Sequence, residues 1–190
     1  LCLVHEPAYV DLLRIACQQG LGFLGSTDTV VSDRSYDVAR LAVGGVLAAC
    51  DAVWEGRIDR AFCAVRPPGH HALMDQAMGF CLLNHVALAA EHLIRRRSLQ
   101  RVAIVDIDVH HGNGTQSIFD DRADVLYVSL HEQSGTLPFP GTGGPDEKGR
   151  GAGTGWTLNI PLTAGSGDED YRRVFAEQVV PALDMFAPQL

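Results

Sequence analysis

The chain has 190 residues, the size of one ordinary domain or of part of a larger one. Its formal net charge of -8 excludes a broad basic surface for direct nucleic-acid binding. No apolar run approaches the ~18 residues of a membrane span and no charged-then-apolar leader precedes a small-residue cleavage site, so a soluble chain with no membrane contact is expected.

The chain opens at Leu1-Cys2-Leu3 without an initiator methionine and reads as a piece of a longer protein. Residues 6–20 predict a helix closed by Gly20. Ser32-Asp33 is a helix start, and Val38, Leu41, Ala42, Val46, Ala49 and Val53 recur at helical spacing over 35–55. The short apolar run RAFCAV, 60–65, stops at Pro67-Pro68-Gly69 and predicts a buried strand. Residues 84–97 predict a helix ending in Arg95-Arg96-Arg97, three cations that favour the helix dipole and stay solvated. RVAIVDIDV, 101–109, is the next strand; a short helix follows around 113–120. DVLYVSL, 124–130, and GWTLNIPL, 155–162, are further strands. Residues 168–186 predict a last helix, kinked or broken at Pro181. Near-continuous apolar strands alternating with helices indicate a parallel α/β sheet, whose ligands bind beyond the C-terminal strand ends.

Five cysteines, Cys2, Cys17, Cys50, Cys63 and Cys81, show no paired spacing such as CxxC. Most have apolar neighbours, so buried reduced thiols in a reducing cytosol are expected and a cysteine-based zinc site is not. The Gly-rich stretch 141–155 lacks the GK[ST] ending of a phosphate loop and precedes a strand, so a surface or active-site-rim loop is expected there.

The chemistry gathers in VDIDVHHGNGTQ, residues 105–116. With period two, Asp106, Asp108 and His110 project from one face of a strand. An Asp-x-His pair offers a hard oxygen and a borderline nitrogen on one side, which zinc accepts, as do iron or cobalt. His111 follows directly, and a second cluster, RPPGHHA, carries His70 and His71 after the strand predicted at 60–65. Two imidazoles beside a bound divalent metal suit hydrolysis of an unreactive amide or ester. A metallophosphoesterase also uses Asp-x-His, but would require a following Gly-Asp and a Gly-Asn-His; here Thr115 follows GNG.

AVRPPGHHA, MGFCLLNHVALAA, VAIVDIDVHHGNGTQSIF, VLYVSLHE and LPFPGTG resemble the histone deacetylase family, in its order, over residues 61–143. RPPGHHA and HHGNGTQ are similar to its class II branch, with the bacterial deacetylase-like and acetylpolyamine amidohydrolases. The resemblance implies a three-layer, parallel-sheet arginase/deacetylase α/β fold, with residues 1–190 a partial catalytic domain incomplete at both ends. It implies a zinc-dependent removal of acetyl or other acyl groups from acetyl-lysine or acetylated polyamine-type substrates.

Carried over position by position, Asp108 and His110 match two of three zinc ligands. His70 matches the tandem histidine paired with a buried aspartate, here Asp106. His71 matches the proton-transfer histidine, supported by Asn113 where the class I branch has an aspartate. Phe80 and Phe139 match the walls of an acyl-lysine tunnel, and Gly79 the carbonyl that receives the substrate amide N–H. A structural potassium is implied at Asp106, the Ser129 hydroxyl and main-chain oxygens of Asp108, His110 and Leu130. The third zinc ligand and the oxyanion donor are expected beyond Leu190, so this stretch alone is expected to be inactive and, through its open sheet edge, poorly soluble or self-associating; a homo-oligomer is a further expectation. The competing reading is a catalytically inactive, deacetylase-fold binding protein. The C-terminal ends of strands 61–65 and 102–109 are expected to be neighbours, with the histidines and the metal pair around one cavity.

Overall fold

The computed structural model describes residues 1–133 and 139–190. They divide into two compact units, Leu1–Ser98 and Leu99–Leu190.

The first unit is helical. Helix α1 (Pro7–Gln19) starts with Pro7, whose missing N–H costs nothing in the first turn, and ends at Gly20 in the left-handed conformation (φ 65°). A short antiparallel hairpin follows, β1 (Phe23–Leu24) against β2 (Ser26–Val30), which periodicity did not predict. Helix α2 (Ser35–Trp54) packs against α3 (His85–Arg97). The buried stripes carry Ala39, Ala42 and Val43 on α2 and Ala87, Leu88, Ala90 and Leu93 on α3.

The arginines that close α3 are not simply solvated, which corrects the expectation. Arg97 Nε donates to Asp51 at 2.8 Å and its Nη2 to Glu55 at 3.1 Å, while Arg95 pairs with the buried Glu91. The C-terminus of α3 is thereby tied to the last turn of α2.

The strand predicted at 60–65 is a second correction. These residues are irregular and pair with no strand among the described residues, and Phe62 is 94% exposed. Apolar composition does not make a strand when its N–H and C=O groups lack a ladder partner. The expected pair of neighbouring strands, 61–65 and 102–109, therefore lacks its first member as a strand. The cysteines, none of them in a disulfide, are less buried than composition suggested: Cys17 and Cys81 are buried, Cys50 and Cys63 intermediate, Cys2 exposed.

The second unit is the predicted parallel α/β layer. Strands β3 (Val102–Asp106), β4 (Val125–Glu132) and β5 (Thr157–Leu162) run parallel in the order β3-β4-β5. Helix α4 (Asn113–Phe119) makes the first crossover. The central strand β4 is buried from Val125 to His131, as its continuous apolar run requires. Leu126, Val128, Leu130, Ile160 and Leu162 pack against Val174, Val179 and Phe186 of the closing helix. That helix changes pitch ahead of its proline, as α5 (Asp168–Val174), a π-helical turn over 175–179, and α6 (Val180–Phe186). Pro181 has no N–H for the carbonyl four residues back, and the wider turn is where that defect is absorbed.

No helix among the described residues is long and apolar enough to cross a membrane.

Candidate functional site

In the second unit β3 stops at Asp106, three residues short of the predicted end. The alternation Asp106-Ile107-Asp108-Val109-His110 is not a strand face but two successive side-chain-capped turns. Asp106 Oδ1 accepts the backbone N–H of Asp108 at 3.1 Å, and Asp108 Oδ1 accepts that of His110 at 2.8 Å. Short acidic side chains compete with the ladder for backbone donors in this way. The turns still bring the Asp-x-His pair together: His110 Nδ1 lies 3.3 Å from Asp108 Oδ1, with both side chains about half exposed.

That separation suits a shared metal. Two ligands on tetrahedral zinc at about 2.0–2.1 Å lie roughly 3.3 Å apart, and oxygen with imidazole nitrogen is an accepted zinc donor set. The pair falls short of a whole site. Among the described residues no group of three or more His, Cys, Asp or Glu is arranged to hold an ion.

Asp106 is held from β4, its Cα opposite Ser129 in the ladder. The buried Tyr127 hydroxyl lies 3.1 Å from both Asp106 Oδ2 and the Gly112 carbonyl. Burial and the neighbouring Asp106 charge push the Tyr127 phenol well above its ordinary pKa, so it stays a donor. Ser129, assigned by resemblance to a potassium, bonds His131 Nδ1 at 2.9 Å, and Leu130 beside it is fully buried. Asn113 opens α4 with its N–H on the His111 carbonyl at 2.9 Å.

Phe139 stands edge-on to the His110 ring, with centroids 5.7 Å apart and planes at 84°. Leu137 and Pro138 of the LPFPGTG motif lie outside the described residues.

Behind this face is a buried polar network that sequence reasoning missed. His111 bonds Thr142 through Nδ1 at 2.8 Å and Gln116 through Nε2 at 2.9 Å. His131 Nε2 donates to the Gly143 carbonyl at 3.0 Å. Burial, followed by the proximity of His131, lowers the His111 pKa to about 4, and burial lowers that of His131. Both rings are therefore neutral at physiological pH. Burial pushes the Glu147 carboxyl up, but hydrogen bonds from Gly144, Gln116 and Gly143 outweigh it, and its pKa ends below the ordinary value. The partners lie as far as 31 residues apart in sequence, so no local pattern announces them; the Gly-rich composition of 141–155 was the only trace.

In the first unit the tandem histidines lie side by side, ring centroids 4.0 Å apart at 44°. His71 is 3% exposed, and its backbone N–H points to the Cys81 thiol at 3.4 Å. Gly69 before them has no room for a side chain: a Cβ there would lie 2.9 Å from both the His85 nitrogen and the Leu83 carbonyl oxygen. Asn84, also missed from sequence, secures the following loop. Its side-chain oxygen caps α3 through the Ala87 N–H at 3.1 Å, and its side-chain nitrogen donates to the Ala72 carbonyl at 3.2 Å.

Gly79 and Phe80 both take positive φ, 55° and 65°. The second is uncommon for a bulky residue and is held by a hydrogen bond from the Phe80 N–H to Thr29 Oγ1 at 3.2 Å. The result is a 62% exposed phenyl ring. The Gly79 carbonyl accepts the Cys81 thiol at 3.3 Å, a weak donor. His70 and Asp106, paired by resemblance, belong to different units.

Parallel strands, the first of which leads into an Asp-x-His pair, give the second unit the fold and the motif that the sequence resemblance implies. The histone deacetylase domain matches all of residues 1–190, and the chain belongs to that family. It is 46% identical over 187 residues to the histone deacetylase-like amidohydrolase of Pseudomonas aeruginosa, covering 98% of this chain and 48% of that protein. It is 42% identical to a probable deacetylase of Archaeoglobus fulgidus, covering 98% of this chain and 50% of that protein. Among solved structures, the HDA15 HD domain superposes with TM-score 0.93 at 42% identity, covering 98% of this chain and 52% of that one. An acetylpolyamine aminohydrolase from Burkholderia pseudomallei superposes with TM-score 0.88 at 32% identity, covering 97% of this chain and 62% of that one. The chain thus spans about half the length of the curated relatives it matches.

Proposed function

We propose that the whole protein is a zinc-dependent amidohydrolase that removes acetyl or related acyl groups from acetyl-lysine proteins and peptides or from acetylated polyamines. The observation that carries this reading is the Asp108–His110 pair, a carboxylate and an imidazole fixed 3.3 Å apart at the end of a parallel strand by paired turns. Asp108 and His110 would hold the zinc, which supplies polarisation of the acyl carbonyl and a more acidic bound water.

The chain's own residues supply the rest. His71, withdrawn from solvent, takes the proton of the attacking water and returns it to the leaving amine. His70, paired with Asp106, keeps positive charge beside the developing oxyanion. Asn113 supports His71. Phe80 and Phe139 hold the methylene chain of the acylated amine, and the Gly79 carbonyl receives its amide N–H. The remaining zinc ligand and the oxyanion donor come from the rest of the protein. A potassium at Asp106, Ser129 and Leu130 belongs to the same reading, as do residence in the cytoplasm and a homo-oligomer. The net charge of -8 speaks against nucleic acid as the substrate.

The test is hydrolysis of an acetyl-lysine peptide and of an acetylpolyamine by the full-length protein, with zinc content measured alongside. Asp108→Ala is expected to lose zinc. His71→Ala is expected to keep it and to turn over roughly 10²–10⁴-fold more slowly, the range of general acid–base catalysis. A zinc-loaded full-length protein inert on every acetylated amine would instead establish the non-catalytic binding reading.

A further inference from the structure

The loop over 139–149 has no regular secondary structure, yet four side chains, Gln116, His111, His131 and Asn159, hold it to the sheet layer. One carboxylate orders them. Glu147 Oε1 accepts the backbone N–H groups of Gly143 and Gly144, each at 2.9 Å, and Oε2 accepts Gln116 Nε2 at 2.5 Å. A carboxylate only accepts, so it fixes which end of the Gln116 amide faces it. The Gln116 oxygen is thereby turned toward His111 Nε2 at 2.9 Å and Asn159 Nδ2 at 2.7 Å. That places the His111 proton on Nε2, leaves Nδ1 as an acceptor, and makes the Thr142 hydroxyl its donor at 2.8 Å. The chain of bonds starts at Glu147 and returns to the same loop five residues earlier. His131 closes the loop's other side through the Gly143 carbonyl at 3.0 Å, and Gly143 (φ 94°) packs so closely that a Cβ would lie 2.6 Å from the His131 ring.

We infer that Glu147 is a positioning residue of the acyl-amine tunnel: it sets the direction of the hydrogen bonds that run through Gln116 and His111 to Thr142 and so fixes the loop that carries Phe139 edge-on to His110. The functional consequence rests on the deacetylase reading; the latch itself does not. Its range of effect is substrate binding. Phe139 begins the latched loop and contacts the ring of His110, so loosening the latch shifts a wall of the tunnel while the Asp108–His110 turns keep their own backbone bonds.

The directional logic makes a reciprocal swap informative. Glu147→Gln alone sets an amide N–H₂ against the Gln116 N–H₂. Turning Gln116 over relieves this only if Asn159 turns too, and the Glu147 main-chain carbonyl then loses the Asn159 donor it has at 3.2 Å. Gln116→Glu with Glu147→Gln restores every bond, with only the one between positions 116 and 147 reversed in direction. In that double variant the carboxylate at position 116 accepts from His111, from Asn159 and from the new amide at position 147. The oxygen of that amide still serves the two glycine N–H groups.

The experiment compares wild type, E147Q, the double variant Q116E/E147Q and the milder T142V in the full-length protein. It records KM and kcat on an acetyl-lysine peptide, zinc content, and amide hydrogen exchange over 139–149. In E147Q, KM is expected to rise about tenfold, the factor one charge-assisted hydrogen bond supplies. Its kcat should change less, zinc should stay unchanged, and exchange at Gly143 and Gly144 should quicken. T142V should move KM and exchange in the same direction by less, and the double variant should return close to wild type. Wild-type KM and exchange in both E147Q and T142V, or a folded double variant no better than E147Q, would overturn the inference. A wild type inactive on acetylated amines would count against the deacetylase reading instead, with hydrogen exchange still deciding for or against the latch.

Discussion

Gly69→Ala tests how tightly the tandem histidines depend on the backbone beside them. The new Cβ would meet the His85 nitrogen and the Leu83 oxygen at 2.9 Å and His85 Cδ2 at 3.0 Å, against 3.4 Å for ordinary contact. Two of these neighbours are main-chain atoms at the start of α3, held in place by the Asn84 cap, and cannot rotate away. Relief therefore requires a backbone displacement of about 0.5 Å, the difference between 3.4 and 2.9 Å. Overpacking of this kind costs about 1–3 kcal/mol, which for a domain of this size lowers Tm by roughly 2–12 °C. The displacement falls on the residue directly before His70, and a 1 Å misplacement of a catalytic group costs about 10²-fold. Half of that distance is expected to slow turnover roughly tenfold. The assay is thermal unfolding together with kcat on an acetyl-lysine peptide in the full-length protein, at a temperature where both proteins are folded and zinc-loaded. Wild-type kcat in a folded Gly69→Ala protein would refute the reasoning, because the histidines would then be positioned independently of the Gly69–His85 contact.

Two further outcomes follow from the first unit. Phe80→Gly releases a left-handed phenylalanine (φ 65°) whose ring is 62% exposed, so stability should change by less than about 1 kcal/mol while KM for an acetylated amine rises; a loss above about 2 kcal/mol by denaturant unfolding would make Phe80 a packing residue instead. Asp51 is held from 3.8 down to about 2, chiefly by the hydrogen bond from Arg97 and then by that from His92. A depressed carboxyl stabilises the fold above its unfolded pKa and loses that contribution as pH falls through the folded one. Asp51→Asn should therefore cost about 1 kcal/mol at pH 7, after allowance for its 23% exposure, and the difference from wild type should shrink between pH 4 and pH 2. A difference that persists at pH 2 would assign the loss to packing rather than charge.

Which features were legible in the sequence follows from the range of the forces that make them. Helices α1, α2 and α3 were visible because their apolar stripes and stop signals lie within one turn of each other, down to Gly20. The parallel layer was visible because a central strand buried on both faces must be apolar throughout, as Val125–Leu130 is. The two misread strands have one cause. Period-two alternation at 105–110 and apolar composition at 60–65 are statements about side chains, whereas a strand is made by backbone partners. At Asp108 and His110 the backbone donors are taken by aspartate side chains two residues earlier, and at 60–65 no ladder partner stands among the described residues. The alternation still carried chemical information, because an Asp-x-Asp-x-His spacing serves consecutive side-chain-capped turns as well as it serves a strand, and either geometry gathers Asp108 with His110. Glu147, Gln116 and Asn159 carried none. Their meaning is the direction of a hydrogen bond set by a partner 31 or 43 residues away, and a glutamate in a Gly-rich loop is indistinguishable in sequence from a solvated one. Roles set by local backbone chemistry can thus be read from a motif, while roles set by the orientation of a buried amide require the fold.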